Sequence, residues 1–380
     1  MKKMYWQAHK VPQYLMIIMC VLAIVGMVIV EHYKSLKPQP YFKQKLAAAE
    51  LASEAMQAIK KERLRLGYKI NREDDPQNSG LVGAYTTVIT SDHGKIRSKR
   101  ATINPNIAAL VVGWMKDAGL KKGDVVAVGM TGSFPALDIC VLAAIKTLKL
   151  KPLIILSAGA STWGANLPRF NWVDMQHYLY KENIIPYQPI AASIGGQQDR
   201  GKNMPEEGIK ILKRSIEKYG ITFIDSEDTE DAIAKRVDLY KEFSKNKPIV
   251  MYINVGGGVA SIGLHRSKDQ IVKNDTVARK RLDSGLIMAL PIDVANIDSV
   301  TVGFLKEGIP VINLHEFDKI ATTYNLPAAP LVMPIVGSGL IFYHQQYNKW
   351  LATGVLVIVL LMLIFVTIVS RKYVIKYQQK

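Results

Sequence analysis

Two long uncharged segments bracket this chain, and they constrain its fold more than any single motif does. Residues 14–30 give 17 positions without a charge, and residues 350–370 give 21. At about 1.5 Å per residue, each is long enough as a helix to cross a hydrocarbon core of about 30 Å, the first with little margin. The residues outside them are basic: Lys2, Lys3 and Lys10 on one side, Arg371, Lys372, Lys376 and Lys380 on the other, with no acid in either tail. The positive-inside rule predicts cytoplasmic tails at 1–10 and 371–380, with residues 31–349 on the opposite side. Glu31-His32-Tyr33-Lys34 follows the first segment where a small-x-small cleavage site would stand. Residues 11–30 therefore read as an uncleaved signal anchor, with a cleaved signal peptide as the alternative, and 350–370 as a second spanning helix. Tyr5, Trp6, Tyr343, Tyr347 and Trp350 fall near the expected interfaces, as aromatic belts do.

Charge narrows the partners. The formal net charge is +17, and seven of those positive charges lie on the two tails. The part between stays distinctly basic, which suits contact with membrane headgroups or an anionic polymer. The predicted side of the membrane argues against nucleic acid. Cys20 lies in the first apolar segment and Cys140 far along the chain, so no internal disulfide is expected. No Cys/His cluster has zinc-ligand spacing, and neither a metal nor a cofactor is expected.

The chain between the apolar segments alternates helical and strand patterns. Residues 43–66 read as a helix with Leu46, Leu51, Ala55, Met56 and Ile59 on one stripe and Lys60, Lys61, Arg63 and Arg65 on a solvated face; Gly67 stops it. Residues 81–90 look like a strand. Helices follow at 104–118, 136–148, 209–219 and 230–246, and strands at 125–130, 152–156, 222–224 and 248–255. A further helix is expected to start near Val259, and short elements at 300–305 and 310–314. This grammar predicts an α/β domain with a mainly parallel, doubly wound, Rossmann-like sheet, with a lobe boundary near residue 205 as one option. Pro327, Pro330 and Pro334 make 326–342 a poor third spanning helix; it is expected at the membrane interface or packed under the domain.

Four loops carry candidate chemistry. Gly129-Met130-Thr131-Gly132-Ser133-Phe134-Pro135 ends a strand and opens a helix. Its amides suit an anion, Ser133 is a possible nucleophile, and a tight turn with a capping serine is the plainer alternative. The run is neither a P-loop nor Gly-x-Ser-x-Gly. Residues 157–166, with Ser161, Thr162 and Asn166, follow the neighbouring strand and are expected on the same sheet edge. Asn254 with Gly256, Gly257 and Gly258 permits close backbone approach to a ligand or another strand. Asp199 and Arg200, after Trp172 and Asp174, are expected to pair and shape a loop. The candidate ligand set is thus Thr131, Gly132, Ser133, Ser161, Thr162, Asn166, Asn254, Gly256, Gly257 and Gly258. His265 and His315 have no Ser/Asp partner by spacing.

Taken together, the anchor, the run 119–137 (Gly-Leu-Lys-Lys-Gly-Asp-Val-Val-Ala-Val-Gly-Met-Thr-Gly-Ser-Phe-Pro-Ala-Leu), Trp172 with Asp174, 192–201, Asn-Val-Gly-Gly-Gly-Val-Ala-Ser at 254–261 and the closing apolar helix resemble the poly-gamma-glutamate system protein family. The resemblance covers most of the chain. It implies a membrane component working beside poly-gamma-glutamate synthase subunits in making, exporting or anchoring a capsule polymer, and implies no catalytic residues. Gly-Leu-Lys-Lys-Gly-Asp also looks like a phrase from adenylate-forming enzymes, whose Thr-Gly-x-Pro-Lys-Gly loop is absent. The leading expectation is an accessory subunit whose outer domain contacts the polyanion. The rival is an extracytoplasmic hydrolase or transferase using Ser133 or Ser161. A His or Lys within hydrogen-bond reach of either serine favours the rival.

Overall fold

The computed structural model describes residues 13–263 and 282–378. Lys2, Lys3, Lys10, Tyr5, Trp6, His265 and Lys380 lie outside the described residues. In chain order the elements are α1 (Gln13–His32), β1 (Ser35–Pro38), α2 (Phe42–Arg65), α3 (Ile96–Thr102), α4 (Ile107–Asp117), β2 (Val125–Thr131), α5 (Pro135–Leu148) and β3 (Lys151–Ser157). They continue with β4 (Asn166–Leu167), β5 (Phe170–Asn171), α6 (Trp172–Lys181), β6 (Ala191–Ser193), α7 (Glu206–Lys218), β7 (Thr222–Phe223), α8 (Thr229–Ser244) and β8 (Ile249–Val255). The last are α9 (Val259–Ile262), β9 (Gly285–Ile287), α10 (Val300–Lys306), β10 (Val311–Leu314), α11 (Phe317–Thr323), β11 (Tyr343–Gln346) and α12 (Lys349–Gln378).

The chain forms two compact units, the first holding α1, β1, β11 and α12. Within it, Gln13–His32 and Lys349–Val369 are long and apolar enough to cross a membrane. They touch where Gly26 is buried; a Cβ there would come within 2.5 Å of Val355. β1 and β11 pair antiparallel, Ser35 opposite Gln346 and Pro38 opposite Tyr343. Tyr347 donates its hydroxyl to Glu31 at 3.0 Å. The helix α12 runs on to Gln378, so Arg371, Lys372 and Lys376 extend it past the apolar stretch that ends at Val369.

Pro40–Phe342 forms the second unit, built on a seven-stranded sheet of order β7-β6-β3-β2-β8-β10-β9. Every pairing is parallel except that of the edge strand β9 with β10. Val125–Thr131 is buried at every position, as a strand covered on both faces must be. The chain winds outward from β2 through β3, β6 and β7, then returns to place β8 on the other side of β2. That reversal is a topological switch point, where open α/β sheets place ligands. Helices α2, α4 and α5 pack together as one layer, and α8, α9 and α10 as another. Tyr252 of β8 stacks on Phe304 of α10 with ring centroids 4.9 Å apart, and Tyr240 of α8 donates to the Val128 carbonyl at 2.8 Å. Strands from both sides of residue 205 interleave in this one sheet, so no lobe boundary falls there.

Two local expectations are corrected, and one helix carries no sequence signal. Residues 81–90 are not a strand; their hydrogen bonds go to the loop beside them. The Gly83 amide donates to Trp163 O, the Trp163 amide to Ala84 O, and the Ala84 amide to the Asn166 side chain. Arg63 is not on the solvated face of α2. It lies one turn beyond Ile59 on the same stripe, and its guanidinium donates to the carbonyls of Gly80, Val82 and Lys69. The buried stripe is mostly small: Ala48, Ala49, Ala52 and Ala55 are fully buried, which lets α2 approach α4 and α5 closely. The short helix α3 went unread, because Lys95-Ile-Arg-Ser-Lys-Arg has no helical apolar stripe. Residues 326–342 form no long helix.

Candidate functional site

Parallel strands bring their carboxyl ends to one edge, and the candidate loops gather there. The Gly132 amide donates to Ser157 O at 3.1 Å, the Ala158 amide to Ser193 O at 2.9 Å, and the Gly256 amide to Leu314 O at 3.0 Å. The loops at 129–135, 157–166, 193–201 and 254–261 therefore share a sheet edge, with the switch point between Thr131 and Val255. Gly256 has φ 92°, and a Cβ there would sit 2.4 Å from Thr131 Oγ1. A Cβ on Gly257 would meet the His315 ring at 2.9 Å. The close approach that this run allows is to Thr131 and His315. Neither Gly132 nor Gly257 has a positive φ, so at those two positions space is the constraint and not backbone strain.

Several predicted residues hold the edge together. Ser133 does not cap α5. Its Oγ accepts from the Ser161 amide at 3.0 Å, joining the first loop to the second. Asn166 is fully buried, and its amide group is engaged by Ala84 and Thr90. Asn254 donates to Gly256 O at 2.9 Å and to the Asn313 side chain at 2.8 Å. Trp172 is fully buried at the start of α6. Asp174 completes a capping box with Asn171 and accepts from the Tyr219 hydroxyl at 2.8 Å.

Asp199 does not pair with Arg200. Its carboxylate takes Arg236 of α8 at 2.8 Å, while the exposed Arg200 donates to Glu227 O at 2.9 Å. Adjacent residues in a tight turn point apart, and the buried guanidinium is the stronger partner for a buried acid. Arg236 also donates to Ser157 at 3.0 Å and Ser193 at 2.7 Å, which ties the ends of β3 and β6 to α8.

The arrangement that stands out chemically involves a lysine that sequence reasoning missed. Lys99 of α3 is only 4% exposed, and its Nζ donates to Ser161 Oγ at 2.8 Å and to the Ser133 carbonyl. The ammonium lies 3.9 Å from the centroid of the Phe134 ring. Burial pulls Lys99 down from the ordinary lysine range to about 7, with Asp138 opposing the shift. Asp138, in the first turn of α5, is wholly buried, and neither carboxyl oxygen has a hydrogen-bond partner among the described residues. Burial pushes its carboxyl well above the usual range. Ser161 itself is 9% exposed. Gly94 lies across the pair: a Cβ there would stand 3.0 Å from Ser161 Oγ and 3.2 Å from Lys99 Cε. The Thr162 hydroxyl holds that crossing in place, accepting from the Gly94 amide at 2.7 Å and donating to its carbonyl at 3.2 Å.

A serine hydroxyl beside an amine that is neutral in part at pH 7 can act as a nucleophile with its own general base. Nothing local distinguishes Lys99 from its neighbours Lys95, Arg97 and Arg100, so its burial was illegible. Asp138 did leave a signal, a lone acid inside the apolar run 136–145. Among the described residues no His/Cys/Asp/Glu group has the arrangement to hold a metal ion. No protein-family model, curated protein or solved structure matches this chain.

Proposed function

We propose that the outer domain is a membrane-anchored acyl hydrolase or transferase, with Ser161 as nucleophile and Lys99 as its base, that trims or attaches a poly-gamma-glutamate-type capsule polymer. The observation that carries this reading is the 2.8 Å contact between Lys99 Nζ and Ser161 Oγ, made by a lysine that burial brings to about 7. The polymer is supplied by the family resemblance, and the basic balance of the chain is consistent with an anionic substrate. The antiparallel ribbon of β1 and β11 and the meeting of Gly26 with Val355 support a helical hairpin with both tails on one side. Basic tails then favour the cytoplasm for the tails and the outside for the domain.

The neutral Lys99 amine takes the Ser161 hydroxyl proton as Oγ attacks an amide carbonyl carbon. The C–N bond then breaks, and Lys99 returns that proton to the departing nitrogen. The acyl group remains on Ser161 as an ester. Attack by water releases a carboxylate and trims the chain; attack by an amine forms a new amide and attaches it. Gly94 covers the pair, so this reading requires segment 92–95 to release its hydrogen bonds to Thr162 before substrate can enter.

The test uses the full chain in membranes with poly-gamma-glutamate, following polymer length by size-exclusion chromatography. Ser161→Ala and Lys99→Arg should each abolish the change in length. A second reading, the accessory subunit, draws on the cover over Ser161 and on Lys99 also holding the Ser133 carbonyl, as a structural latch would. Under it, Ser161→Ala leaves polymer output almost unchanged, because only one hydrogen bond is lost.

A further inference from the structure

A cavity of about 380 Å³ opens at the opposite, amino edge of the sheet, between the end of α8, the start of β8 and α10. Its floor is apolar, formed by Val237, Ile249, Phe304 and Ile309. Its rim is charged, carrying Lys241, Lys247 and Glu307. Lys241 and Glu307 face each other at 3.5 Å. Lys247 has no carboxylate partner among the described residues, so the rim keeps one positive charge in excess. The volume lies near the low end of the range for small-ligand sites, about 300–1,000 Å³, and an apolar floor with few polar groups is their usual lining. Nothing in the proposed chemistry at the carboxyl edge uses this cavity.

We infer that this cavity binds a single-chain alkyl carboxylate, with the chain on Phe304 and Ile249 and the carboxylate at Lys247. The excess positive charge selects a monoanion over a neutral or cationic amphiphile. The volume selects one short alkyl chain over a two-chain phospholipid. A Cβ added at Gly303, which lines the cavity from within α10, would meet nothing within 4 Å. Gly303→Leu therefore starts from open space at Cβ and adds bulk at the cavity lining, and replacing glycine inside a helix favours the fold.

The experiment measures octanoate binding to the full chain in nanodiscs by saturation-transfer NMR, with empty nanodiscs subtracted. Wild type should bind saturably. Gly303→Leu should weaken binding roughly tenfold with an undiminished melting temperature. Lys247→Gln should weaken octanoate roughly two- to fivefold while leaving octanol unchanged. Octyltrimethylammonium should bind worse than either. The inference is overturned if wild type shows no saturable octanoate binding, if Gly303→Leu binds as well as wild type, or if the cationic amphiphile binds as tightly as octanoate.

Discussion

Two buried cations stand at the same sheet edge and are treated in opposite ways. Arg236 is 2% exposed and engaged through Nε and Nη2, with Asp199 at 2.8 Å and the hydroxyls of Ser157 and Ser193 as partners. Lys99 is equally buried, yet it holds one hydroxyl, one carbonyl and an aromatic face, while the acid that influences it has no hydrogen-bond partner among the described residues. A guanidinium cannot give up its proton in a protein, so the chain encloses it in a satisfied network. An ammonium can, and the shortage of counter-charge leaves Lys99 ready to do so. One cluster joins strands to a helix; the other, under the proposed function, serves proton transfer.

The largest expected effect separates the two by activity. Ser161→Ala or Lys99→Arg should lower polymer cleavage by roughly a thousandfold or more, with folding intact by circular dichroism. Activity in the wild type should rise with pH through an inflection near 7, where Lys99 loses its proton. A flat profile, or a Lys99→Arg variant with normal turnover, removes the distinction drawn here.

The next effect falls on stability. Arg236→Met leaves Asp199 buried without its partner and should cost about 3–5 kcal/mol, read from the denaturant midpoint. Lys99→Met should do the reverse near neutrality. Its pKa drops from 10.5 unfolded to about 7 folded, so the folded protein carries a penalty that is complete below about 7 and fades as pH rises toward 10.5. The variant should gain most over wild type at and below pH 7, and the gain should shrink above it.

Asp138→Asn tests the unpaired acid. A carboxyl raised above 3.8 by folding stabilises fully at lower pH and loses that contribution as pH rises through its folded value. The asparagine variant should therefore gain on wild type as pH climbs from 4 toward neutrality, in paired thermal melts. The smallest change belongs to Arg200→Ala. That side chain is exposed and makes one bond to a carbonyl, so stability should move by no more than about 0.5 kcal/mol. A larger loss would mean that Arg200 shapes the loop as the sequence suggested.

The sequence by itself determined the parts governed by local pattern. Hydrophobic length marked α1 and α12, and apolar runs alternating with amphipathic ones marked β2, α5, β3, α8 and β8 within a residue or two. Strand followed by glycine loop placed Ser133, Ser161 and Gly256–Gly258 at strand ends, and parallel pairing then requires a shared edge. Tertiary structure alone decided which charges go inside. Lys99 lies in a basic run that reads as solvent-facing, and Arg63 on a helix face that reads as solvated. Asp199 takes a partner 37 positions away in preference to its neighbour. The sequence period tells which face a residue occupies, but burial of a charge depends on partners brought in from distant segments, here the 94 crossing, the 133 carbonyl and the 161 hydroxyl. The proton affinity of Lys99, and with it the chemistry proposed for Ser161, exists only once those segments exclude water from around it.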